Sequence, residues 1–112
     1  MKGNKVKELS RQEEFVLLAI WRLEGNAYGV TIRRYLTKIT GKEWTLGAVY
    51  VPLYRLTDKG FVRSFLSDPI EERGGRSKRL YSATDDGMNA LRQTKRMHDR
   101  IWETVPDFIP GN

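Results

Sequence analysis

The sequence predicts a mainly α-helical fold with one small β-hairpin. Four segments carry apolar residues at helical spacing or in an unbroken run, and two short stretches rich in aromatic and branched residues lie between the third and the fourth. A chain of 112 residues is expected to form one compact domain. We therefore expect three helices, a hairpin and a long final helix, in that order.

The first helix is predicted to begin after Ser10. Ser10 and Glu13 have the spacing of a capping box, in which each side chain accepts a hydrogen bond from the backbone N–H of the other. Residues 15–21 are apolar without a break, so this helix must lie in the core or be covered by a second subunit. Gly25 and Asn26 are expected to end it.

The second helix is predicted over about residues 28–40, with Gly41 as its C-terminal cap. The apolar face of this helix is expected to consist of Val30, Ile32, Leu36 and Ile39. Arg33, Arg34 and Lys38 are expected on its outer side. A short link, residues 41–44, then leads to the third helix.

The third helix is predicted over about residues 45–59, with Thr45 as its N-cap. A buried stripe is predicted for the residues at three- and four-residue steps, which are Leu46, Val49, Leu53 and Leu56. The opposite face carries Gly47, Ala48, Val51, Tyr54, Arg55 and Asp58, with Tyr50 on its flank. Small residues let a helix approach a nucleic-acid groove, and tyrosine and arginine can then reach phosphates or bases. The same pattern also fits an ordinary amphipathic helix.

The two predicted strands, residues 61–67 and 79–83, are joined by a loop that is too long for a tight turn. The tip of this hairpin combines Gly74 and Gly75 with a cluster of cations, namely Arg73, Arg76, Lys78 and Arg79. Flexible glycines and clustered cations suit contact with a phosphate backbone. Charged loops are also common in proteins of other functions, and Glu71 and Glu72 partly offset these cations.

The last helix is predicted over residues 85–105 and is stopped by Pro106. Its heptad positions are Met88, Leu91, Lys95, His98, Trp102 and Val105. So long a helix has little of its own chain to pack on, so a partner subunit is expected to cover it. Residues 1–9 and 106–112 are expected to be flexible tails.

The composition limits which classes of function the chain can have. Lys and Arg number 20 against 14 Asp and Glu, a net charge of +6, and a basic domain attracts polyanions, nucleic acid first. Cysteine is absent and His98 is the single histidine, which excludes disulfides, thiolate metal sites and multi-histidine sites. We therefore predict no enzyme, no metal and no cofactor. No apolar run approaches the roughly 18 residues of a membrane span, and a cytoplasmic location is expected.

The predicted order of elements, with a basic loop between the strands, is that of a winged helix-turn-helix fold. Two blocks of residues resemble PadR-like transcriptional regulators. The recognition-helix block comprises Gly47, Ala48, Val49, Tyr50, Leu53, Arg55, Leu56, Lys59, Gly60, Phe61 and Val62. The wing block comprises residues 72–81, followed by Thr84 and Gly87, and Tyr28 and Gly29 match the start of the second helix of the family. The resemblance covers roughly residues 14–91, and the blocks keep the order and spacing of the family.

The resemblance implies a DNA-binding regulator, usually a repressor, that acts as a homodimer through its C-terminal helix. We expect a DNA-binding domain over residues 10–84, a dimerisation helix over residues 85–105, and a pseudo-palindromic operator. The recognition helix is expected in the major groove, with the wing on the DNA backbone. The predicted DNA contacts are Tyr50, Tyr54, Arg55, Arg73, Arg76, Lys78 and Arg79. The alternative is a winged-helix module that binds proteins and not specific DNA.

Two further expectations concern particular residues. Pro52 departs from the pattern of the family, and it predicts that the recognition helix is kinked or starts late. Aromatic and thioether side chains near the two-fold axis could hold a planar aromatic effector, and the residues for that pocket are Trp21, Met97, His98, Ile101 and Trp102. Plain packing at the interface is the alternative for that set.

Overall fold

A computed structural model describes residues 8–68 and 77–106 of the chain. Six elements follow one another: α1 (Arg11–Arg22), α2 (Gly29–Thr40), α3 (Leu46–Asp58), β1 (Val62–Leu66), β2 (Arg79–Ala83) and α4 (Asp85–Glu103). This order confirms the predicted mainly helical fold with one hairpin. The predicted tails lie outside the described residues at positions 1–7 and 107–112.

The start of α1 forms the predicted capping box. The Ser10 Oγ accepts a hydrogen bond from the Glu13 backbone N–H at 3.1 Å, and the Glu13 carboxylate accepts one from the Ser10 N–H at 2.9 Å. One side of the helix is fully buried through Val16, Leu17, Ala19 and Ile20. Leu18 and Trp21 face outward, so the core covers only part of this apolar helix.

Gly41 ends α2 in the left-handed conformation with φ of 74°, as its position predicted. Ile32 and Leu36 are buried in the core, but the predicted burial of Ile39 is wrong, because its side chain is 61% exposed. Leu36 is the last buried residue of α2. Ile39 lies in the final turn, beyond the part of the helix that reaches the core.

Thr45 caps α3, and its Oγ1 accepts a hydrogen bond from the Ala48 N–H at 3.1 Å. The buried side of the helix consists of Val49, Pro52, Leu53 and Leu56. Leu46 is 42% exposed, so its predicted burial is wrong: it lies in the first turn, ahead of the core contact. The predicted late start is also wrong, because the helix begins at Leu46 and runs through Pro52 to Asp58. Burial of the proline ring supplies apolar contact at the position where the backbone hydrogen bond is lost.

The hairpin is antiparallel, and its register pairs Val62 with Ala83 and Leu66 with Arg79. Two further hydrogen bonds fix its place. The Tyr81 N–H donates to the Ala27 carbonyl at 2.9 Å, which joins β2 to the segment before α2. The Ser67 N–H donates to the Lys78 carbonyl at 2.8 Å, which closes the base of the wing. Residues 69–76 of the predicted loop lie outside the described residues.

Thr84 caps α4, which ends at Glu103, two residues before its predicted end. Gly87 and Leu91 are the buried residues of this helix. A Cβ at position 87 would overlap the carbonyl oxygen of Phe61, so glycine is required for the close approach of α4 to the hairpin. Beyond Leu91 the helix extends away from the core, and Trp102 is 66% exposed. Among the described residues, no helix is both long and apolar enough to cross a membrane.

Candidate nucleic-acid interface

The outer face of α3 lies open to solvent. Its first turns are lined by the small residues Gly47 and Ala48, both exposed, and the later turns by Tyr54 and Arg55. The Tyr54 side chain is 78% exposed. The only acidic residue of α3 is Asp58, at its last position. The face is therefore narrow at its start and carries polar and cationic side chains farther along.

Tyr50 lies at the edge of this face and against α2. A Cβ at Gly29 would overlap the Tyr50 hydroxyl and would lie 2.7 Å from Cζ. The ring thus occupies the space that a side chain at position 29 would need. Gly29 is the first residue of α2, so this contact fixes the outer face of α3 against the start of the preceding helix.

A groove separates α3 from the hairpin and has a volume of about 280 Å³. Its walls carry several hydroxyl groups, and the lining residues are Tyr50, Leu53, Tyr54, Thr57, Ser64 and Tyr81. The Arg79 guanidinium lies beside this groove and donates to the Oγ of Ser64, one of the lining residues, at 3.1 Å. Hydroxyls and a guanidinium are the donors that commonly bind phosphate oxygens in protein–DNA complexes.

The Tyr81 phenol stays protonated at neutral pH. Burial raises its pKa above the ordinary value, the neighbouring Tyr50 raises it further, and Arg79 lowers it by a smaller amount. A protonated phenol adds no negative charge to the groove. The groove therefore remains favourable for an anionic backbone.

Lys78 and Arg79 lie at the base of the wing and not at its tip, which corrects their predicted placement. Arg79 is the first residue of β2. The Lys78 N–H donates to the Ser67 Oγ at 2.9 Å, and its ammonium lies 4.2 Å from the centroid of the Tyr28 ring. Both residues lie at the base because β2 begins at Arg79, and Lys78 directly precedes it. Arg73 and Arg76, the other predicted wing contacts, lie outside the described residues.

The five residues predicted for an effector pocket do not meet within one chain. Trp21 and His98 line a groove of about 420 Å³ between α1 and α4. Across it the His98 Nε2 lies 3.3 Å from the Glu14 Oε1. Met97 lines a different groove, together with Leu9 and Ala90 among others. Ile101 and Trp102 are exposed near the end of α4.

Sequence reasoning missed several residues of the candidate interface, because their position depends on how the elements pack. Thr57, Ser64 and Tyr81 join the groove beside α3, and no spacing in the chain brings them together. From the sequence, Tyr28 is predicted only to lie at the start of the second helix. The one sequence signal for a contact at Tyr28 is an aromatic residue directly before the glycine that begins a helix.

The chain was compared with known families and structures. Residues 17–93 match the model of the transcriptional regulator PadR-like family. No curated protein matches the chain in sequence. Among solved structures, a PadR-like transcriptional regulator from Bacillus cereus is 23% identical, with a TM-score of 0.71 over 89% of this chain and 92% of the other.

Two more solved structures share the fold, with similar sequence identity and TM-score. A PadR-like transcription factor from Bacteroides fragilis is 22% identical, with a TM-score of 0.69 over 83% of this chain and 84% of the other. A PadR family transcriptional regulator from Eggerthella lenta is also 22% identical, with a TM-score of 0.67 over 91% of this chain and 87% of the other. These likenesses confirm the winged-helix fold.

Proposed function

Since the chain belongs to the PadR-like family of transcriptional regulators, we propose that it represses transcription by binding a pseudo-palindromic DNA operator as a homodimer. Family members are transcriptional regulators and not enzymes. We also propose that the protein acts in the cytoplasm.

The observation that carries the proposal is the open face of α3. Gly47 and Ala48 leave room for close approach, and Tyr54 and Arg55 extend from the same exposed side. A helix with this profile fits the major groove, where arginine reads base edges and tyrosine reaches phosphates. The buried stripe through Val49, Leu53 and Leu56 holds the helix rigidly behind this face.

The hairpin supports a second contact with the DNA backbone. Arg79 lies beside the hydroxyl-lined groove next to α3, and Arg73 and Arg76 belong to the loop beyond it. We propose that this wing follows the phosphate backbone on the flank of the major-groove contact. Residues 1–80 hold 16 basic and 9 acidic side chains, so the net positive charge of the chain comes from the part that includes α3 and the loop of the hairpin.

The proposed homodimer rests on apolar surface that one chain leaves uncovered. Leu18 and Trp21 of α1 are exposed, as are four residues near the end of α4, Met97, Ile101, Trp102 and Val105. A second copy can cover both sets at once, because a two-fold interface places the same patch on each subunit. Two recognition helices would then meet successive major grooves about 34–36 Å apart.

Selection of bound duplexes from a random DNA library tests both the DNA binding and the two-fold symmetry of the site. We expect an enriched sequence with two-fold symmetry and half-sites about one helical turn apart. Enrichment of a single unrepeated half-site would contradict the homodimer. Failure to bind any duplex at low salt would contradict the DNA-binding function and favour a winged-helix module that binds proteins.

A transcription assay with the enriched site placed over a promoter tests the sense of regulation. Repression is expected, because a dimer seated on such a site excludes polymerase. Increased transcription from the same template would contradict it.

A further inference from the structure

Tyr28 and Lys78 make a cation–π contact between the start of α2 and the base of the wing. The Lys78 ammonium lies 4.2 Å from the centroid of the Tyr28 ring, within the roughly 6 Å over which a ring attracts a cation. Both residues are half-buried. Among residues 8–68 and 77–106, no carboxylate forms a salt bridge with Lys78.

The backbones on both sides of this contact are fixed. The Tyr28 N–H donates to the Thr31 Oγ1 at 3.0 Å, and Thr31 in turn donates to the Asn26 carbonyl at 2.6 Å. Lys78 is held through Ser67 by one hydrogen bond in each direction. The ring and the ammonium are therefore both attached to fixed backbone. The contact restricts the motion of the long Lys78 side chain.

The contact also leaves the charge of Lys78 available. An aromatic ring attracts a cation without neutralising it, whereas a carboxylate would cancel the charge. Tyr28 precedes Gly29 in the chain, and the hydroxyl end of the Tyr50 side chain packs against Gly29. Lys78, Tyr28, Gly29 and Tyr50 thus form a continuous strip that joins the wing to the recognition helix.

We propose that Tyr28 is a positioning residue that holds the Lys78 ammonium where it binds a DNA phosphate between the wing and α3. The inference rests on the proposed DNA-binding function. Tyr28 acts through Lys78, so its effect on affinity must vanish when the lysine is gone. A residue that merely stabilised the fold would lower affinity equally with and without the lysine.

The test is a double-mutant cycle with Tyr28→Leu and Lys78→Met on the full chain, using a mixed-sequence duplex about three helical turns long. We expect Lys78→Met to reduce the slope of log affinity against log salt by about 0.9, the value for one phosphate contact. Tyr28→Leu should weaken binding by about two- to fivefold, the range for an exposed cation–π contact. In the Lys78→Met background Tyr28→Leu should change nothing.

Tyr28→Phe is the matched control, because it keeps the ring and should bind as the wild type does. Equal losses from Tyr28→Leu in both backgrounds, tighter binding by Tyr28→Leu, or an unchanged salt slope in Lys78→Met would each overturn the inference. If Tyr28→Leu fails to fold, Tyr28→Met takes its place in the same cycle, because it also removes the ring and keeps an apolar side chain at the position. A wild type that binds no duplex would instead overturn the proposed function, so the two failures are distinct.

Discussion

The hydroxyl of Tyr50 lies directly over Gly29, so that a residue on the recognition side of α3 packs on the first turn of α2. The two helices of the motif are therefore linked at the point where one of them faces the proposed DNA. Any side chain at position 29 must displace the Tyr50 ring. The orientation of a predicted DNA contact thus depends on a glycine in another helix.

Gly29→Ala is expected to weaken DNA binding several-fold while changing stability little. The new Cβ would lie 2.7 Å from the Tyr50 Cζ, and that atom belongs to the far end of a side chain that can rotate away. Alanine leaves the unfolded chain fewer conformations than glycine does, a gain of about 0.4–1 kcal/mol that offsets part of the cost. Affinity for the selected duplex and urea unfolding measure the two effects. In a Tyr50→Ala background the substitution should leave affinity unchanged, and an equal loss there would disprove the role of the ring.

Arg55→Ala and Arg76→Ala are expected to separate base contacts from phosphate contacts. Arg55 is exposed on α3, and its loss should cost more on the selected site than on random DNA, by about 1–3 kcal/mol. Arg76→Ala should weaken both duplexes alike and flatten the salt slope by about one unit. Arg100→Ala, on α4, is the charge-matched control. Equal losses on both duplexes would make Arg55 a phosphate contact.

Ile101→Glu is expected to convert the proposed dimer into a folded monomer. Ile101 is exposed in the single chain, so the charge disturbs an interface between copies and not the core. Deletion from Met88 onward is less informative, because it also removes Leu91, which is buried. Sedimentation at micromolar concentration should show the monomer, and Asn89→Glu, an exposed polar site on the same helix, should stay dimeric. A wild type that sediments as a monomer would contradict the proposed dimer.

Glu13→Ala is expected to destabilise the fold by about 1–3 kcal/mol. The Glu13 side chain is only 4% exposed, and its carboxylate lies 2.7 Å from the Lys59 ammonium. That ammonium also donates to the Glu8 carbonyl at 2.7 Å, so the start of α1 is tied to the residue that follows α3. Urea unfolding measures the loss. Glu13→Gln keeps the capping box and should cost less, while Gln12→Ala, at an exposed position, should cost about 0.5 kcal/mol or less.

A planar aromatic compound is expected to quench tryptophan fluorescence and release DNA if an effector site lies at the dimer axis. Trp21 lines the groove between α1 and α4, and Trp102 is exposed on α4. Release requires that the compound bind one spacing of the two DNA-binding heads better than the other. Titration of Trp21→Phe and Trp102→Phe identifies the responding residue. Quenching with unchanged DNA affinity would mean binding without regulation, and no response across a broad panel would favour plain packing of these side chains at the interface.

Short-range patterns in the chain were enough to predict the helices and strands of the described residues. The Ser10 and Glu13 spacing, the Thr45 cap and the Gly41 terminator each act within four residues, so they can be recognised in the sequence without knowledge of the fold. Apolar periodicity located Val49, Leu53 and Leu56 in the core for the same reason. These signals are local hydrogen bonds and helical spacing, which need no distant partner.

Only the tertiary structure decided how far each helix reaches the core and which distant side chains meet. Ile39 and Leu46 have the right spacing for burial but lie beyond the contact between helices. Pro52 is buried inside α3, although its missing backbone N–H predicted a kink or a late start. The contacts of Tyr50 with Gly29 and of Lys78 with Tyr28 join residues far apart in the chain. Periodicity gives the direction of a side chain around its helix. Burial and contact also require the crossing of helices and the register of the hairpin, and those are set by packing.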